Sequence, residues 1–176
     1  MDTLRLFVAV EIPESFRAPI AALQQELPDE GIKNVTLENL HFTLQFLGDV
    51  DSQKVASIEQ ALRTIRFRSF RLTLKGVGVF PNENYIRVIW IGGESEPLAA
   101  LARQVQDALH SFPKENFSAH LTIARVKRKV EIKHFLEKHR EEAFGQFDVS
   151  AFHLKQSQLS RGGPTYTKVA TFAATE

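Results

Sequence analysis

Two short stretches hold the residues most able to do chemistry. LHFTLQFLG (40–48) sets His41 two residues before Thr43, and AHLTIAR (119–125) sets His120 two residues before Thr122. Both read as β-strands, in which side chains i and i+2 share a face. Phe42, Leu44 and Phe46 then form a core face, with His41, Thr43 and Gln45 on the other. Leu121 and Ile123 likewise back His120 and Thr122. A single strand histidine is ordinarily a half-buried residue with a hydrogen bond, and threonine is a common strand former. Two such pairs, each on an apolar-backed strand and nearly half a chain length apart, make coincidence a poor explanation.

Two imidazoles across a cleft can move one proton off an oxygen and another onto a second oxygen in the same turnover, because histidine titrates near neutral pH. Two hydroxyls can donate to an anion held between them. Opening a cyclic phosphodiester by water requires this set. Water loses a proton as it attacks phosphorus, the leaving ribose oxygen gains one, and the non-bridging oxygens need fixed donors. No metal or other cofactor is implied.

The elements around these pairs must position them. RLFVAVEI (5–12) reads as a buried strand. Residues 13–27 read as a helix, kinked or late-starting at Pro19, and 35–48 as one strand or two. A helix follows to about Arg66, with Asp51 as its N-cap, and then strands at 70–80 and 84–93. A helix over 96–112, the strand 118–126 and a charged helix over 131–144 come next, then strands at 147–159 and 165–174. Each half of the chain thus has a helix, an H-x-T strand, a second helix and a strand pair. The reading is α+β: one bilobal domain over 1–176, with two pseudo-symmetric lobes of mostly antiparallel sheet, helices outside and a cleft between.

The totals suit that architecture. The chain has 176 residues, 43% hydrophobic and 24% charged, enough for a proper core. A net charge of +1 gives no global polyanion signal, so any preference for phosphate must be local. The absence of cysteine removes disulfides, thiolate metal sites and cysteine nucleophiles, and fits a reducing compartment. The N-terminal apolar run is too short to span a bilayer and lacks a cleavage pattern, so the expected location is the cytoplasm.

The blocks RLFVAVEIP (5–13), LHFTLQFLG and AHLTIAR, in this order, resemble the 2H phosphoesterase superfamily. Within it, the chain resembles the RNA 2′,3′-cyclic phosphodiesterases, once called 2′-5′ RNA ligases. The resemblance spans essentially the whole chain; Ala119 departs from it, standing where this subgroup often has proline. It implies metal-independent hydrolysis of a 2′,3′-cyclic phosphate at an RNA 3′ end to a 2′-phosphate, tRNA fragments being among the candidate substrates, by a monomer. It implies His120 as the base, His41 as the acid, Thr43 and Thr122 as phosphate ligands, and Arg125 as an arginine on the same phosphate. It also implies a capacity for 2′-5′ joining of RNA ends.

Arg125 carries a conflict, because strict alternation puts it on the core side with Leu121 and Ile123. A bulge or strand end would be needed to bring it to the phosphate; otherwise it is a salt-bridged strand-end residue. The basic run RVKRK (125–129) follows the second motif and reads as an RNA contact, whereas Phe67 and Phe70 in RTIRFRSFR read as core. His134 and His139 read as surface, His110 and His153 carry no signal, and Trp90 reads as core. SQLSRGGPTY (157–166) reads as a hairpin in preference to a cleft edge with Tyr166 on a base, and GVG (76–78) is no phosphate loop. Two other functions use the same four residues: a phosphodiesterase for small cyclic phosphates, and a module that binds RNA ends without turnover.

Overall fold

A computed structural model describes residues 2–176. In chain order the elements are β1 (Thr3–Glu11), α1 (Arg17–Gln25), β2 (Ile32–Asn34), β3 (His41–Asp51), α2 (Val55–Leu62), β4 (Phe70–Asn82), β5 (Tyr85–Gly92), α3 (Glu96–Ala108), β6 (His120–Val126), α4 (Lys133–His139), β7 (Ala143–Val149), β8 (Ala151–Ser160) and β9 (Gly163–Ala173). The class is α+β, as expected. Pro19 falls in the first turn of α1, where its missing N–H costs nothing. Asp51 caps as expected, its Oδ1 accepting from the Gln53 N–H at 2.9 Å. Ser95 caps α3 in the same way, and Pro97 sits in that helix's first turn.

The last helix is shorter than its sequence predicts. The apolar spacing and the run EKHREE suggest helix to residue 144, but α4 ends at His139 and the chain enters β7 at Ala143. Gly145, at φ +128, supplies a backbone conformation that a helix cannot use. A second strand then starts at Ala151, where the sequence suggests one strand from 147. His139, expected at the surface, is buried; its ring bonds Glu142 and also Glu26 Oε2, the latter at 2.8 Å, tying α4 to the end of α1. His134 is exposed as expected, and Trp90 is only half-buried.

The strands form one sheet in the order β7-β4-β5-β6-β3-β1-β8-β9, with β2 beside β6, and neighbours pair antiparallel. The order contains an exchange. β4 and β5 precede α3 in the chain, yet they lie with β6 and β7; β8 and β9 come last, yet they lie beside β1. The helices cross over too, with α1 packing on β6 and α3 on β3. At the seam, β3 and β6 share one bridge, Phe42 to Leu121. Beyond it the strands diverge, and β2 takes the place beside the far end of β6.

Candidate active site

The seam brings the two His-x-Thr pairs together. Phe42 and Leu121 are fully buried and face the helices. Their neighbours His41, Thr43, His120 and Thr122 are half-buried and line one cavity of about 460 Å³ on the opposite face. Arg125, Lys33 and Lys127 also line it, as do Phe7, Phe46 and Tyr166. The rim is closed by the turn between β8 and β9, held to the segment before β3 by the Asn39 Nδ2–H donating to the Pro164 carbonyl at 2.8 Å.

Arg125 reaches the cleft through a β-bulge. In the β5–β6 ladder Trp90 faces Thr122 and Ile89 faces Ala124, leaving Ile123 as an extra residue. One extra residue reverses the alternation beyond it. Ile123 and Ala124 are therefore both buried, and Arg125 emerges on the face of His120 and Thr122. The same event occurs in β3, where Ala9 faces Thr43, Val8 faces Gln45 and Leu44 is extra. This overturns one sequence expectation. Gln45, expected beside His41, is fully buried, while Phe46, expected in the core, is 38% exposed and lines the cleft.

A buried glutamine holds each bulge. Gln24 on α1 donates from Nε2 to the Ile123 carbonyl at 2.9 Å and to the Val35 carbonyl at 2.9 Å. Gln106 on α3 donates to the Leu44 carbonyl at 3.5 Å and accepts from the Glu115 N–H at 3.0 Å. A bulge takes its extra residue out of the strand ladder, and a buried carbonyl left without a partner is costly. Gln106 answers that need for Leu44, and Gln24 shares the Ile123 carbonyl with the Val35 N–H, which donates to it at 2.9 Å; both glutamines come from the helix that crosses over.

The two histidines have matched hydrogen bonding. His41 Nδ1 lies 2.7 Å from the Asn39 carbonyl, and His120 Nδ1 lies 2.9 Å from the Ser118 carbonyl. A carbonyl only accepts, so each Nδ1 carries the proton and each neutral ring has its lone pair on Nε2. The Thr43 hydroxyl bonds His41 Nε2 at 3.0 Å. His120 Nε2 has no protein partner among the described residues.

Their surroundings differ. His41 packs against Phe7 and Tyr166, with ring centroids 4.9 and 5.3 Å away. Burial pushes its pKa down to about 4, and the Lys155 and Arg125 cations push the same way. His120 meets the edge of Phe80 at 4.9 Å, and its pKa is lowered by burial and then by Arg125. Phe80 is backed by Trp90 at 5.3 Å, whose indole lies over Gly78. A Cβ there would come within 2.3 Å of the indole, so GVG serves His120 by leaving room for Trp90. Tyr166 proves to be both part of a hairpin and a cleft wall.

Behind His41 lies a charged cluster that no spacing argument finds. Glu11 faces His41 across the β1–β3 ladder and accepts from Lys155 at 2.7 Å and from Lys168 at 3.1 Å. Burial raises the Glu11 pKa, but those two hydrogen bonds, together with the Lys155 and His153 charges, leave it lowered. Lys155 is buried, and its ammonium lies 5.9 Å from the Tyr166 ring centroid. Its only sequence signal is a lysine following the alternation of FHL at a position that a buried strand would fill with an apolar residue.

Known proteins resemble this chain in sequence and fold. The LigT-like phosphoesterase family model matches residues 10–90 and 92–166, so each matched stretch holds one His-x-Thr pair. A protein of Archaeoglobus fulgidus named RNA 2′,3′-cyclic phosphodiesterase is 42% identical over 96% of this chain and 99% of its own. One of the same name from Methanocaldococcus jannaschii is 39% identical over 93% and 96%. A crystal structure from Thermus thermophilus superposes with a TM-score of 0.83 at 32% identity, covering 97% of each chain. That of Escherichia coli LigT without ligand gives 0.84 at 28%, covering all of both. With the paired motifs, the matched bulges and these likenesses in hand, the chain belongs to the LigT-like phosphoesterases of the 2H superfamily.

Proposed function

We propose that this protein hydrolyses the 2′,3′-cyclic phosphate at the 3′ end of an RNA, leaving a 2′-phosphate. One observation carries the reading: both His-x-Thr pairs line one cavity with Arg125, and each imidazole keeps Nε2 free of its backbone bond. The names of the relatives support the substrate class.

The cyclic phosphate sits between the two pairs. The Thr43 and Thr122 hydroxyls and the Arg125 guanidinium donate to its non-bridging oxygens, where charge builds as water attacks. His120 Nε2 accepts the proton from water as the new P–O bond forms. His41 Nε2–H gives its proton to the 3′ oxygen as the P–O3′ bond breaks. Proton exchange with solvent then resets the pair. The division of labour follows the family resemblance, and the open Nε2 of His120 suits a base that must meet water. In the empty site His41 is a weak base, with its pKa near 4. An anion bound beside it favours the imidazolium, so the substrate itself helps His41 hold the proton it must deliver. The reverse sense of related chemistry gives 2′-5′ joining of RNA ends.

The working unit we propose is a monomer built as one bilobal domain over 1–176, since both pairs come from one chain. A cytoplasmic location is supported by the cysteine-free sequence. No helix among the described residues is long and apolar enough to cross a membrane. The test is incubation with a short RNA ending in a 2′,3′-cyclic phosphate, EDTA present, with identification of the product end. A 2′-phosphate is expected. A 3′-phosphate would reverse the assignment of the leaving oxygen, and no conversion would reject the activity.

A further inference from the structure

The cleft has two exits, and their charges differ. On one side Ser157 and Leu159 of the cleft wall also line a second hollow, which contains Asp2 and Asp49 with Arg5 as the single cation among its described residues. On the other side Lys127 is shared with a groove of about 840 Å³, lined by Arg87, Arg128, Lys129 and Tyr85. Of the two carboxylates in that groove, Glu83 pairs with Arg140 at 2.8 Å, while Glu131 accepts from the Lys133 N–H at 3.1 Å and keeps its charge, leaving the groove with a cationic excess. Arg87, Lys127, Arg128 and Lys129 form no ion pair among the described residues. Tyr85 is 59% exposed, and the Arg87 guanidinium lies 5.5 Å from its ring centroid.

From this pairing of an acidic exit with a basic one, we infer that the groove from Lys127 to Tyr85 binds the RNA chain on the 5′ side of the reacting nucleotide. Resting on the proposed activity, the inference assigns the body of the substrate to a surface outside the catalytic cleft. A terminal cyclic phosphate has chain only on its 5′ side, and that chain must leave by one exit. Phosphodiesters are repelled by Asp2 and Asp49 and attracted by four cations that form no ion pair among the described residues and outnumber the unpaired Glu131. An exposed tyrosine with a guanidinium against its ring offers an unstacked base a flat partner without reading its identity. The groove thus selects polymer over mononucleotide while leaving sequence free.

The experiment compares uridine 2′,3′-cyclic phosphate with a labelled octamer RNA carrying the same end, at low and moderate salt. It uses the wild type, the triple variant Arg87→Gln/Arg128→Gln/Lys129→Gln, and Tyr85→Ala. For the wild type, kcat/KM on the octamer exceeds that on the mononucleotide and falls with salt. In the triple variant the octamer value drops at least tenfold, and its log–log salt slope becomes shallower by about 2, at ~0.7 per phosphate contact on a single strand. Tyr85→Ala lowers octamer turnover severalfold with an unchanged salt slope. The mononucleotide, too short to leave the cleft, reports an intact site by holding within about twofold. Equal losses on both substrates, or no loss on the octamer, would overturn the inference. Anisotropy binding of the octamer is measured in the same samples. If the wild type turns over neither substrate, the activity fails while octamer affinity still judges the groove: loss in the triple variant upholds it, and no loss rejects it.

Discussion

β3 and β6 run the same course with different contents. From His41 to Leu47 and from His120 to Val126 the order of half-buried, buried and exposed residues is identical, and each strand skips one residue after its threonine. Each skipped carbonyl receives a glutamine Nε2 from a helix of the other half of the chain. Yet the fifth residue after the histidine is Arg125 in β6 and Phe46 in β3, where Arg5 lies 5.2 Å from the Phe46 ring centroid. One imidazole is enclosed by Phe7 and Tyr166, while the other meets the edge of Phe80. The shared backbone sets the geometry of two opposed imidazoles, the proton-transfer groups of the proposed reaction. The substituted positions then make one side cationic and the other aromatic, which a symmetric reaction would not need but the proposed ordered acid and base would use.

The strongest break of this comparison is removal of either imidazole. His41→Ala and His120→Ala each lower kcat by about 10²–10⁴-fold, the ordinary worth of a general acid or base. Circular dichroism should remain native, because both rings lie at the cleft and not in the core. Full activity in either variant would remove the two-histidine mechanism.

Next in size is the divergent pair. Arg125→Ala loses a charged hydrogen bond worth ~1.5–3 kcal/mol, a fall of about 10- to 150-fold in kcat/KM. Phe46→Ala should cost less than tenfold, with the change mainly in KM. Losses of equal size would show that the two positions do the same work.

The bulge anchors sharpen the comparison further. Gln106→Leu removes the side-chain donor to the buried Leu44 carbonyl, and Gln24→Leu removes the donor to the Val35 carbonyl and leaves the Ile123 carbonyl with the Val35 N–H alone; each should cost about 1–3 kcal/mol of stability, measured by denaturant melting. Their activities should separate. Gln24→Leu loosens the bulge that aims Arg125 and should lower kcat/KM more than Gln106→Leu, which loosens the one that aims Phe46. Equal kinetic losses would mean that the bulges matter only to folding.

The smallest effect is a shift in pH profile. Both histidines are depressed below their ordinary value in the empty site. Activity requires one proton on the pair, so the bell of kcat/KM should centre below the usual histidine pKa of about 6.5. A bound anion raises the pKa of its acid, so the alkaline limb of kcat should lie at higher pH than that of kcat/KM. Lys155→Met removes a cation that depresses His41 and should move upward the limb of kcat/KM that reports His41, the acid limb while His41 titrates near 4. An unmoved limb would place the buried lysine outside the electrostatics of the site.

The sequence disclosed the chemistry better than the geometry. Parity alone put His41 with Thr43 and His120 with Thr122, because the two-residue period holds up to each threonine. It failed at the next residue, since nothing in LHFTLQF or AHLTIAR marks Leu44 or Ile123 as unpaired. The carbonyls that reveal the bulges are met by Gln24 and Gln106, far away in the chain. Arg125 was legible only through resemblance, and Phe46 not at all. The strand exchange was equally hidden, because local patterning reports which face a strand buries and not which strand lies beside it.

That exchange bears on how the molecule comes into being. β1 is synthesised first, and its Leu6–Val10 segment is buried between β3 and β8. One edge of β1 is closed soon after, by β3. The other waits for β8, which begins only at Ala151, so most of the polypeptide must leave the ribosome before that edge is covered. Until then a greasy, hydrogen-bond-hungry border stands open to any passing strand. A stop codon shortly before β8 would therefore do more than delete a hairpin from the rim of the cleft. It would make that nascent state permanent, and the product's fate would be decided by chaperones and proteases instead of by catalysis.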